Sequence, residues 1–304
     1  MQRNTLFAYL YLLIANICFG LNSPFSMALF ISDDPTIQIS AFAMSSFRVI
    51  GAALLFWLFS FIVPSRERVA PKDLFLILLA SLFGVQLNQF LYLWGMSLTS
   101  SIDAPIIAAT VPIITMVMAM FAFREPITPL KVGGVLMGAI GAVVLIISGS
   151  KVQNWDFGMI EGYVICFLAA ISYSAYLTFF KGVITKYSPI TTMKWMFLYS
   201  AIVASILFKD DILAVKYTQM PIRCWFNIGF VVVLGTFVSF LFVLKAQSVV
   251  RPTVVSMFNY TQPIAATLFS VWVGLVTFSW LKVGAMMAIF LGVWMVTRSK
   301  ARVN

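Results

Sequence analysis

The stretch LKVGGVLMGAIG at residues 130–141 returns in altered form as LKVGAMMAIFLG at residues 281–292. Both copies begin with Leu-Lys-Val-Gly, and both keep a later glycine, Gly141 in the first and Gly292 in the second. The two copies lie 151 positions apart in a chain of 304 residues. A period of about half the chain indicates an internal duplication, with one copy of the same unit in each half.

The same shift of 151 positions aligns other parts of the two halves. FGVQLNQFLYLWGMS at 83–97 falls on LGTFVSFLFVLKAQS at 234–248, and TVPI at 110–113 falls on TQPI at 261–264. Apolar runs align easily by chance, but glycines, prolines and lysines do not keep a common register by chance. The sequence therefore predicts two units of similar fold, residues 1–150 and 151–304.

The composition places both units in a lipid bilayer. The chain is 62% hydrophobic and 10% charged, whereas soluble proteins carry about 25% charged residues. A helix that spans a bilayer needs about 20 apolar residues. Ten runs of about this length occur, near 6–29, 41–63, 73–93, 104–123, 129–148, 158–180, 191–208, 222–244, 254–273 and 280–297. The predicted fold class is an all-α integral membrane protein with ten transmembrane helices.

The basic residues predict how these helices are oriented. With the N-terminus in the cytoplasm, fourteen Lys and Arg residues fall on the cytoplasmic side and five on the external side, as the positive-inside rule requires. Both termini are then cytoplasmic. The net charge of +10 comes from these short segments rather than from a basic stripe, so nucleic acid is not an expected partner.

Five helices in each half force the second half upside down relative to the first. Lys131 is then internal, while its counterpart Lys282 is external. Inverted-topology repeats are typical of secondary transporters, in which the substrate site lies near the bilayer midplane between the repeats. The symmetry therefore predicts a transporter whose site lies where the two units meet.

Several stretches of the chain resemble the EamA-like transporters of the drug/metabolite transporter superfamily. They are SSFRVIGAALL at 45–55, the two TxPI motifs, and FREPITPLKVGGVLMGAIG at 123–141. The resemblance covers essentially the whole chain. It implies a carrier in the bacterial inner membrane, frequently an exporter of amino acids or other small metabolites.

The family pattern of a proline, a loop glutamate and a glycine-rich helix is complete only in the first half. There it is matched by Pro112, Glu125 and Gly141, whereas the second half keeps Pro263 but has Val276 where the glutamate would be. A duplicated role for the loop glutamate is therefore not expected.

Polar side chains inside the predicted spans mark the candidate substrate site, because such groups are costly in hydrocarbon and usually face the bundle interior. Gln86, Gln89 and Tyr92 recur every three residues and form one stripe on the third span. Packing against a neighbouring helix, worth about 0.6 kcal/mol for each hydrogen bond, is the alternative for any single residue. The candidates for substrate binding are Asn16, Gln86, Asn88, Gln89, Tyr92, Tyr173, Tyr176, Asn259, Tyr260 and Gln262.

Pro112 and Pro263 fall about eight and nine residues into their predicted spans. Proline in a helix interior removes a backbone hydrogen bond and costs about 3 kcal/mol or more. The carbonyls of Ala108 and Asn259 should lose their helical donors, which is tolerated only where neighbours, water or a cavity satisfy them. We therefore predict a pair of helix interruptions near the midplane with a structural or gating role.

Two charged residues receive a structural or gating role as well. Arg48 lies within the second span, where a guanidinium can bind a substrate carboxylate, pair internally or reach back to the membrane surface. Glu125 lies beside Arg124 in a predicted cytoplasmic loop, where it more naturally fixes the loop than carries a proton. Proton coupling and facilitated exchange both stay open.

Small residues repeat every four positions in the fifth and tenth spans. Such rows let helix backbones approach closely, either within the chain or across a dimer, so a monomer or a weak homodimer is expected. The rows are Gly134, Gly138 and Ala142, and Gly284, Ala288 and Gly292. The three cysteines are isolated and show no metal spacing, so neither a metal nor another cofactor is expected.

These features together predict a secondary, non-ATP transporter that works by alternating access. A strongly anionic substrate would need several central Arg or Lys residues, so we expect a neutral or zwitterionic metabolite, such as an amino acid or a drug-like compound. The resemblance implies that the direction is export. Uptake is the alternative within this class, and a non-transporting structural or receptor-like membrane protein is the alternative outside it. An enzyme is not expected, because the chain has no histidine and no acidic residue near the centre of a span.

Overall fold

The computed structural model describes residues 2–30, 39–62, 67–98, 107–148, 160–272 and 279–299, which contain helices and no strand. Val276, in the second-half position of the family glutamate, lies outside them. The longer helices are α1 (Gln2–Phe30), α2 (Ala41–Ile62), α3 (Pro71–Ser81, Leu82–Leu87 and Asn88–Leu98), α4 (Val111–Phe123), α5 (Pro129–Ser148), α6 (Ile160–Phe179), α7 (Pro189–Leu207), α8 (Ile222–Val232, Val233–Val238 and Ser239–Gln247), α9 (Pro252–Met257, Phe258–Tyr260 and Thr261–Trp272) and α10 (Trp280–Arg298). Shorter helices cover Lys181–Ile184, Lys209–Ala214 and Tyr217–Gln219.

Seven of these helices are long and apolar enough to cross a membrane: α1, α2, α3, α6, α7, α8 and α10. Within the described ranges, α4 and the part of α5 from 129 to 144 are shorter apolar helices. Large apolar side chains such as Leu54, Phe121 and Trp272 face outward, as expected where lipid rather than water covers the surface. The predicted all-helical membrane class is thus confirmed, while the number of ten spans stays a prediction.

The pair α5 and α10 forms the most extensive helix–helix contact of the described residues. A Cβ atom added to Gly134 would lie 2.8 Å from the carbonyl oxygen of Gly292, and one added to Gly141 would lie 2.8 Å from that of Ala285. Residue numbers therefore rise along α5 as they fall along α10, so the two helices are antiparallel. With a shift of 151, Gly134 corresponds to Ala285 and Gly141 to Gly292. Each contact is thus the two-fold copy of the other.

The small-residue rows are not used evenly in this contact. Gly134, Gly141 and Gly292 meet backbone atoms of the opposite helix, and Gly138 meets the ring of Tyr260 in α9. A Cβ atom on Gly284 would meet nothing within 4 Å. The glycines that do pack therefore act within the chain.

Three further pairs of contacts repeat between the halves. Corresponding residues are 151 positions apart in the helix pairs α3/α8 and α4/α9, and 154 positions apart in the pair α1/α6. In the first pair, the Asn88 side chain bonds to the carbonyl of Ala169, and the Ser239 side chain bonds to that of Ala15. In the second, Gly84 packs against Tyr176, and Gly235 packs against Asn22. In the third, the Ser174 side chain bonds to the carbonyl of Val111, and Gly20 packs against Gln262. A pseudo-two-fold axis therefore relates the two halves in their packing as well as in their sequence.

Irregular helix turns also occur in matched positions. Leu82–Leu87 in α3 and Val233–Val238 in α8 are π-helical, and they are 151 positions apart. Such turns are rare and occur frequently at functional sites. They place one extra residue in a turn of each long helix, and they bring Gly84 and Gly235 against the side chains of α6 and α1.

The prolines correct one expectation from the sequence. Pro112 lies in the first turn of α4 after the turn at 109–110, and Pro263 follows the 3-10 segment Phe258–Tyr260. Thr110 and Thr261 have the same backbone angles, φ −78° and ψ −15°. Their hydroxyls donate to the carbonyls of Ile107 at 2.6 Å and of Phe258 at 2.7 Å. Because each helix is interrupted before its proline, neither proline occupies a regular helix interior.

Candidate functional site

Predicted site residues of α3 and α6 lie around the π-turn of α3. Gln86 and Gln89 are buried, Tyr92 and Tyr173 are half-buried, and Tyr176 is 1% exposed. The rings of Tyr173 and Tyr176 stack with centroids 5.9 Å apart, and Gly84 leaves room for the ring of Tyr176. We call these five residues the α3–α6 polar group.

Three polar atoms of this group have no hydrogen-bond partner among the described residues. They are Oε1 and Nε2 of Gln89 and the hydroxyl oxygen of Tyr176, all of them buried. An unpaired buried polar atom is unfavourable, and such an atom calls for a partner such as a water molecule, an ion or a ligand. The α3–α6 polar group therefore has spare hydrogen-bonding capacity inside the bundle.

Asn88 lies beside this group but has a packing contact. Its Nδ2 donates to the carbonyl oxygen of Ala169 in α6 at 3.1 Å. Ser172, which is not among the predicted binding residues, donates to the carbonyl oxygen of Phe83 at 2.7 Å. These two bonds hold α6 against the π-turn of α3 and the residue directly after it, because Phe83 lies within that turn and Asn88 follows it.

A second set of predicted residues joins α1 to α9. Nε2 of Gln262 donates to Oδ1 of Asn16 at 2.8 Å and to Oδ1 of Asn259 at 3.5 Å. Nδ2 of Asn16 donates to the carbonyl oxygen of Leu12 at 2.8 Å. We call Asn16, Asn259 and Gln262 the α1–α9 amide group. Its amides bond to one another and to the α1 backbone.

Tyr260 connects the two helix interruptions. Its hydroxyl donates to the carbonyl oxygen of Ala109 at 2.9 Å, and the residue is 2% exposed. The sequence predicted free carbonyls at Ala108 and Asn259. In the structure the side-chain donor reaches Ala109, and the carbonyl of Asn259 accepts from the N–H of Thr261. The turn before α4 causes this difference, because the N–H of Ile113 bonds to Thr110 and leaves the carbonyl of Ala109 free.

Arg48 contacts the opposite half of the chain. Its Nε donates to Oγ1 of Thr236, in the π-turn of α8, at 3.2 Å, and the Thr236 hydroxyl donates to the carbonyl of Val231 at 2.8 Å. Among the described residues no carboxylate lies within ion-pair distance of the guanidinium. Arg48 therefore joins the two halves through a hydrogen bond rather than through an ion pair.

Glu125 is buried beneath the turn between α4 and α5. Arg124 ends α4 in the left-handed conformation, with φ 51°, and this turn directs the chain back toward the helices. Nζ of Lys131 donates to Oε2 of Glu125 at 2.9 Å, with side-chain exposures of 1% and 5%. The hydroxyl of Thr253 at the start of α9 donates to the same oxygen at 3.2 Å. One carboxylate thus connects the first half to the second.

The sequence predicted Lys131 only as a cation on the cytoplasmic side and did not predict its burial. Its counterpart Lys282 is also buried, at 5% exposure. Both lie in the first turn of their helices, α5 and α10, which pack against each other. Thr253 follows Pro252 and gives no sequence signal of its contact with Glu125, because that contact joins residues 128 positions apart.

Two lysines between α6 and α7 complete this end of the bundle. Nζ of Lys181 donates to the carbonyl of Val250 at 2.6 Å, and burial lowers the pKa of this ammonium, while nearby Glu125 raises it. Lys186 donates to the carboxylate of Asp73 at 2.6 Å, and this hydrogen bond raises the pKa of Lys186. Within the described ranges no group of three His, Cys, Asp or Glu residues could hold a metal ion.

Comparisons with known proteins agree with this arrangement. A family profile described as the EamA-like transporter family matches residues 6–147 and again residues 160–298. A solved crystal structure at 16% sequence identity aligns with 98% of this chain and 97% of its own chain at a TM-score of 0.79, so the two share a fold.

Three curated relatives carry transporter names. An uncharacterized transporter of Archaeoglobus fulgidus is 28% identical over 50% of this chain and 52% of its own length, so the match spans about half of that relative. The uncharacterized transporter YetK of Bacillus subtilis is 22% identical over 77% of this chain and 71% of its own. The S-adenosylmethionine uptake transporter of Rickettsia prowazekii is 28% identical over 58% of this chain and 55% of its own.

Proposed function

The chain belongs to the EamA-like transporter family, and we propose that it is a secondary transporter of a small neutral or zwitterionic metabolite. Transport proceeds by alternating access, with the two repeats moving against each other around a central site. Catalysis is not part of this proposal, since the family and its named relatives are transporters.

One observation carries the proposal: repeat-related helices pack around a pseudo-two-fold axis and lose regularity at matching positions. The π-turns of α3 and α8 are 151 positions apart, as are the interruptions before Pro112 and Pro263. In transporters with repeated folds, discontinuous helices at the repeat interface form the substrate site. When the two repeats switch between their two similar packing arrangements, the site opens first to one side of the membrane and then to the other.

The proposed units are two inverted five-helix repeats, residues 1–150 and 151–304, which together supply ten transmembrane helices. The antiparallel packing of α5 on α10 supports inversion, because these helices are counterparts under the shift of 151. The excess of Lys and Arg on one side supports cytoplasmic termini in a bacterial inner membrane. A reporter that is active only in the cytoplasm, fused after Asn304, should be active. An inactive fusion at normal abundance would contradict the inverted arrangement.

The proposed site combines the α3–α6 polar group, the α1–α9 amide group, Asn88 and Tyr260. Arg48, Pro112, Pro263 and Glu125 serve structural or gating roles. The substrate class follows from amides and phenols without a cluster of central cations. S-adenosylmethionine, the substrate in the name of one relative, shares the amino-acid zwitterion of this class but carries an additional sulfonium charge.

The proposed direction is export, as the family resemblance implies, and a monomer or a weak homodimer is the proposed assembly. The name of the same relative, an uptake transporter, favours uptake as the second candidate. Everted and right-side-out membrane vesicles that contain the protein distinguish the two. Export predicts that substrate accumulates in everted vesicles, and uptake predicts accumulation in right-side-out vesicles.

The deciding experiment is counterflow in liposomes that contain the purified protein. Radiolabelled amino acids and S-adenosylmethionine are supplied outside liposomes loaded with the same unlabelled compound. Saturable, protein-dependent accumulation of one compound is the expected result. Absence of counterflow across the whole panel, from protein that is folded and inserted, would favour a structural or receptor-like role.

A further inference from the structure

The two polar groups of the candidate site differ in how their hydrogen bonds are used. In the α1–α9 amide group, Gln262 and Asn16 bond to each other, and Asn16 also bonds to the carbonyl of Leu12. In the α3–α6 polar group, both amide atoms of Gln89 and the hydroxyl of Tyr176 have no partner within the described ranges. The first group can hold two helices together without a ligand, whereas the second has donors and acceptors to spare.

The pseudo-two-fold axis shows what the second half places at the position of Gln89. The counterpart of Gln89 is Phe240, whose ring lies edge-on to the ring of Phe19 with centroids 5.5 Å apart. By the shift of 154, the counterpart of Phe19 is Tyr173. Where the second half closes the contact with two phenylalanines, the first half has an amide and a phenol. The fold is symmetric here, but the hydrogen-bonding chemistry is not.

Packing does not require an amide at this position. A buried amide without partners is less favourable than an apolar side chain of similar shape, and Phe240 demonstrates that an apolar side chain fits the related position. Gln89 is 6% exposed and Tyr176 is 1% exposed, so a molecule that bonds to them has to enter the interior of the bundle. Charged side chains in α3 and α6 lie only near the helix starts, at Lys72, Asp73 and Glu161, which disfavours a charged partner.

We infer that Gln89 and Tyr176 form the subsite that selects the substrate. The group that they recognise on the substrate is uncharged and carries a hydrogen-bond donor next to an acceptor. A carboxamide is the simplest such group, because an amide pairs in its plane with another amide through two hydrogen bonds. Within the proposed site, the α1–α9 amide group then borders the cavity and chiefly connects the two halves through its own hydrogen bonds, whereas Gln89 and Tyr176 recognise the substrate. This inference rests on the proposed transport function and identifies the substrate group that the site recognises.

The first test measures binding to purified wild-type protein through the midpoint of thermal unfolding. The probes are two amide and acid pairs of similar shape: nicotinamide with nicotinate, and L-glutamine with L-glutamate. At least one amide should raise the midpoint while its acid partner does not. If the acids raise the midpoint as much as the amides, or if neither amide has an effect, the assigned substrate group is wrong.

The second test uses Gln89→Leu and Gln89→Met, with Asn16→Leu as a matched control. Without ligand, the Gln89 variants should unfold at or above the wild-type midpoint, because they remove an unpaired amide. Asn16→Leu should unfold below it, because it breaks the bond from Gln262. The amide probe should need a roughly ten-fold or higher concentration to act on the Gln89 variants. If both Gln89 variants unfold as early as Asn16→Leu, or still bind the amide normally, Gln89 is a packing residue.

Counterflow separates this inference from the proposed function. Normal counterflow by wild type together with unchanged counterflow by Gln89→Leu would overturn the subsite while leaving the transporter in place. Absence of wild-type counterflow would overturn the transporter, whereas the thermal measurements would still decide whether Gln89 binds an amide. Tyr176→Phe, which removes only the hydroxyl, should weaken the effect of the amide probe without lowering the midpoint of the ligand-free protein.

Discussion

Tyr260 donates a hydrogen bond to the carbonyl of Ala109, which is its own counterpart in the first repeat. The distance is 2.9 Å, and the two residues are 151 positions apart. The phenol thus reaches from the interruption in α9 to the turn before α4, and Gly138 of α5 leaves room for its ring. Tyr260, whose counterpart in the first repeat is an alanine, thus supplies the hydrogen-bond donor for a carbonyl that the turn before α4 leaves without one.

Tyr260→Phe should lower the midpoint of thermal unfolding. The variant keeps the ring but leaves the carbonyl of Ala109 buried without a donor, at a cost of about 1–3 kcal/mol. Tyr199→Phe is the matched control, because the Tyr199 ring packs against that of Trp195, with centroids 6.0 Å apart, but its hydroxyl bonds to no described residue. Equal midpoints for Tyr260→Phe and Tyr199→Phe would show that the bond does not stabilise the protein.

Glu125→Gln should destabilise the protein more than the loss of an exposed ion pair does. The change leaves the ammonium of Lys131 buried without its counter-charge, which typically costs about 3–5 kcal/mol. The measurement is the fraction of monodisperse protein left after heating. Lys186→Met is the control, because it breaks a pair whose lysine side chain is 56% exposed, and exposed ion pairs contribute little to stability.

The double variant Glu125→Leu with Lys131→Met tests the cause of that loss. Removal of both charges eliminates the unpaired ammonium, so much of the stability should return. The bond from Thr253 would still be missing, and recovery should therefore be incomplete. A double variant no more stable than Glu125→Gln would mean that the carboxylate acts chiefly through Thr253.

Gly292→Ala should prevent normal packing of α10, whereas Gly284→Ala should be tolerated. A Cβ atom on residue 292 would lie 2.5 Å from the carbonyl oxygen of Gly134 and 2.7 Å from the N of Gly138, and both are backbone atoms that cannot move aside. At residue 284 a Cβ atom would meet nothing within 4 Å, and alanine favours the helix by about 1 kcal/mol. Yields of folded protein after size-exclusion chromatography should separate the two. Similar yields for the two variants would show that α10 does not pack closely on α5 at Gly292.

The helical class and the repeat could be predicted from the sequence because both depend on local pattern. The shift of 151 that aligns Gly141 with Gly292 and Pro112 with Pro263 also relates the π-turns and the interruptions of the structure. The π-turns themselves could not be predicted, since an extra residue in one turn changes neither the apolar character nor the length of a span.

The hydrogen-bond partners of the site were much less predictable, because they join residues far apart in the chain. The sequence grouped Asn88 with Gln89 as possible ligands, but Asn88 bonds to the α6 backbone and Gln89 has no described partner. From the sequence Lys131 could be placed only on the cytoplasmic side, whereas its burial against Glu125 depends on the tertiary structure. Residue type therefore indicated where polar chemistry lies, and only the tertiary contacts showed how each group is used.

Arg48→Met should abolish transport without destabilising the protein. A charged side chain within a membrane span costs about 2.5–3.5 kcal/mol on insertion scales, and no described carboxylate offsets this cost. The hydrogen bond from Arg48 to Thr236 returns about 1.5–3 kcal/mol, so a methionine of similar length should leave stability level or higher. Arg48→Lys, which keeps the charge, should retain more counterflow than Arg48→Met. If Arg48→Met instead unfolds early, or transports as wild type does, the guanidinium is a packing feature and its contact with α8 does not gate transport.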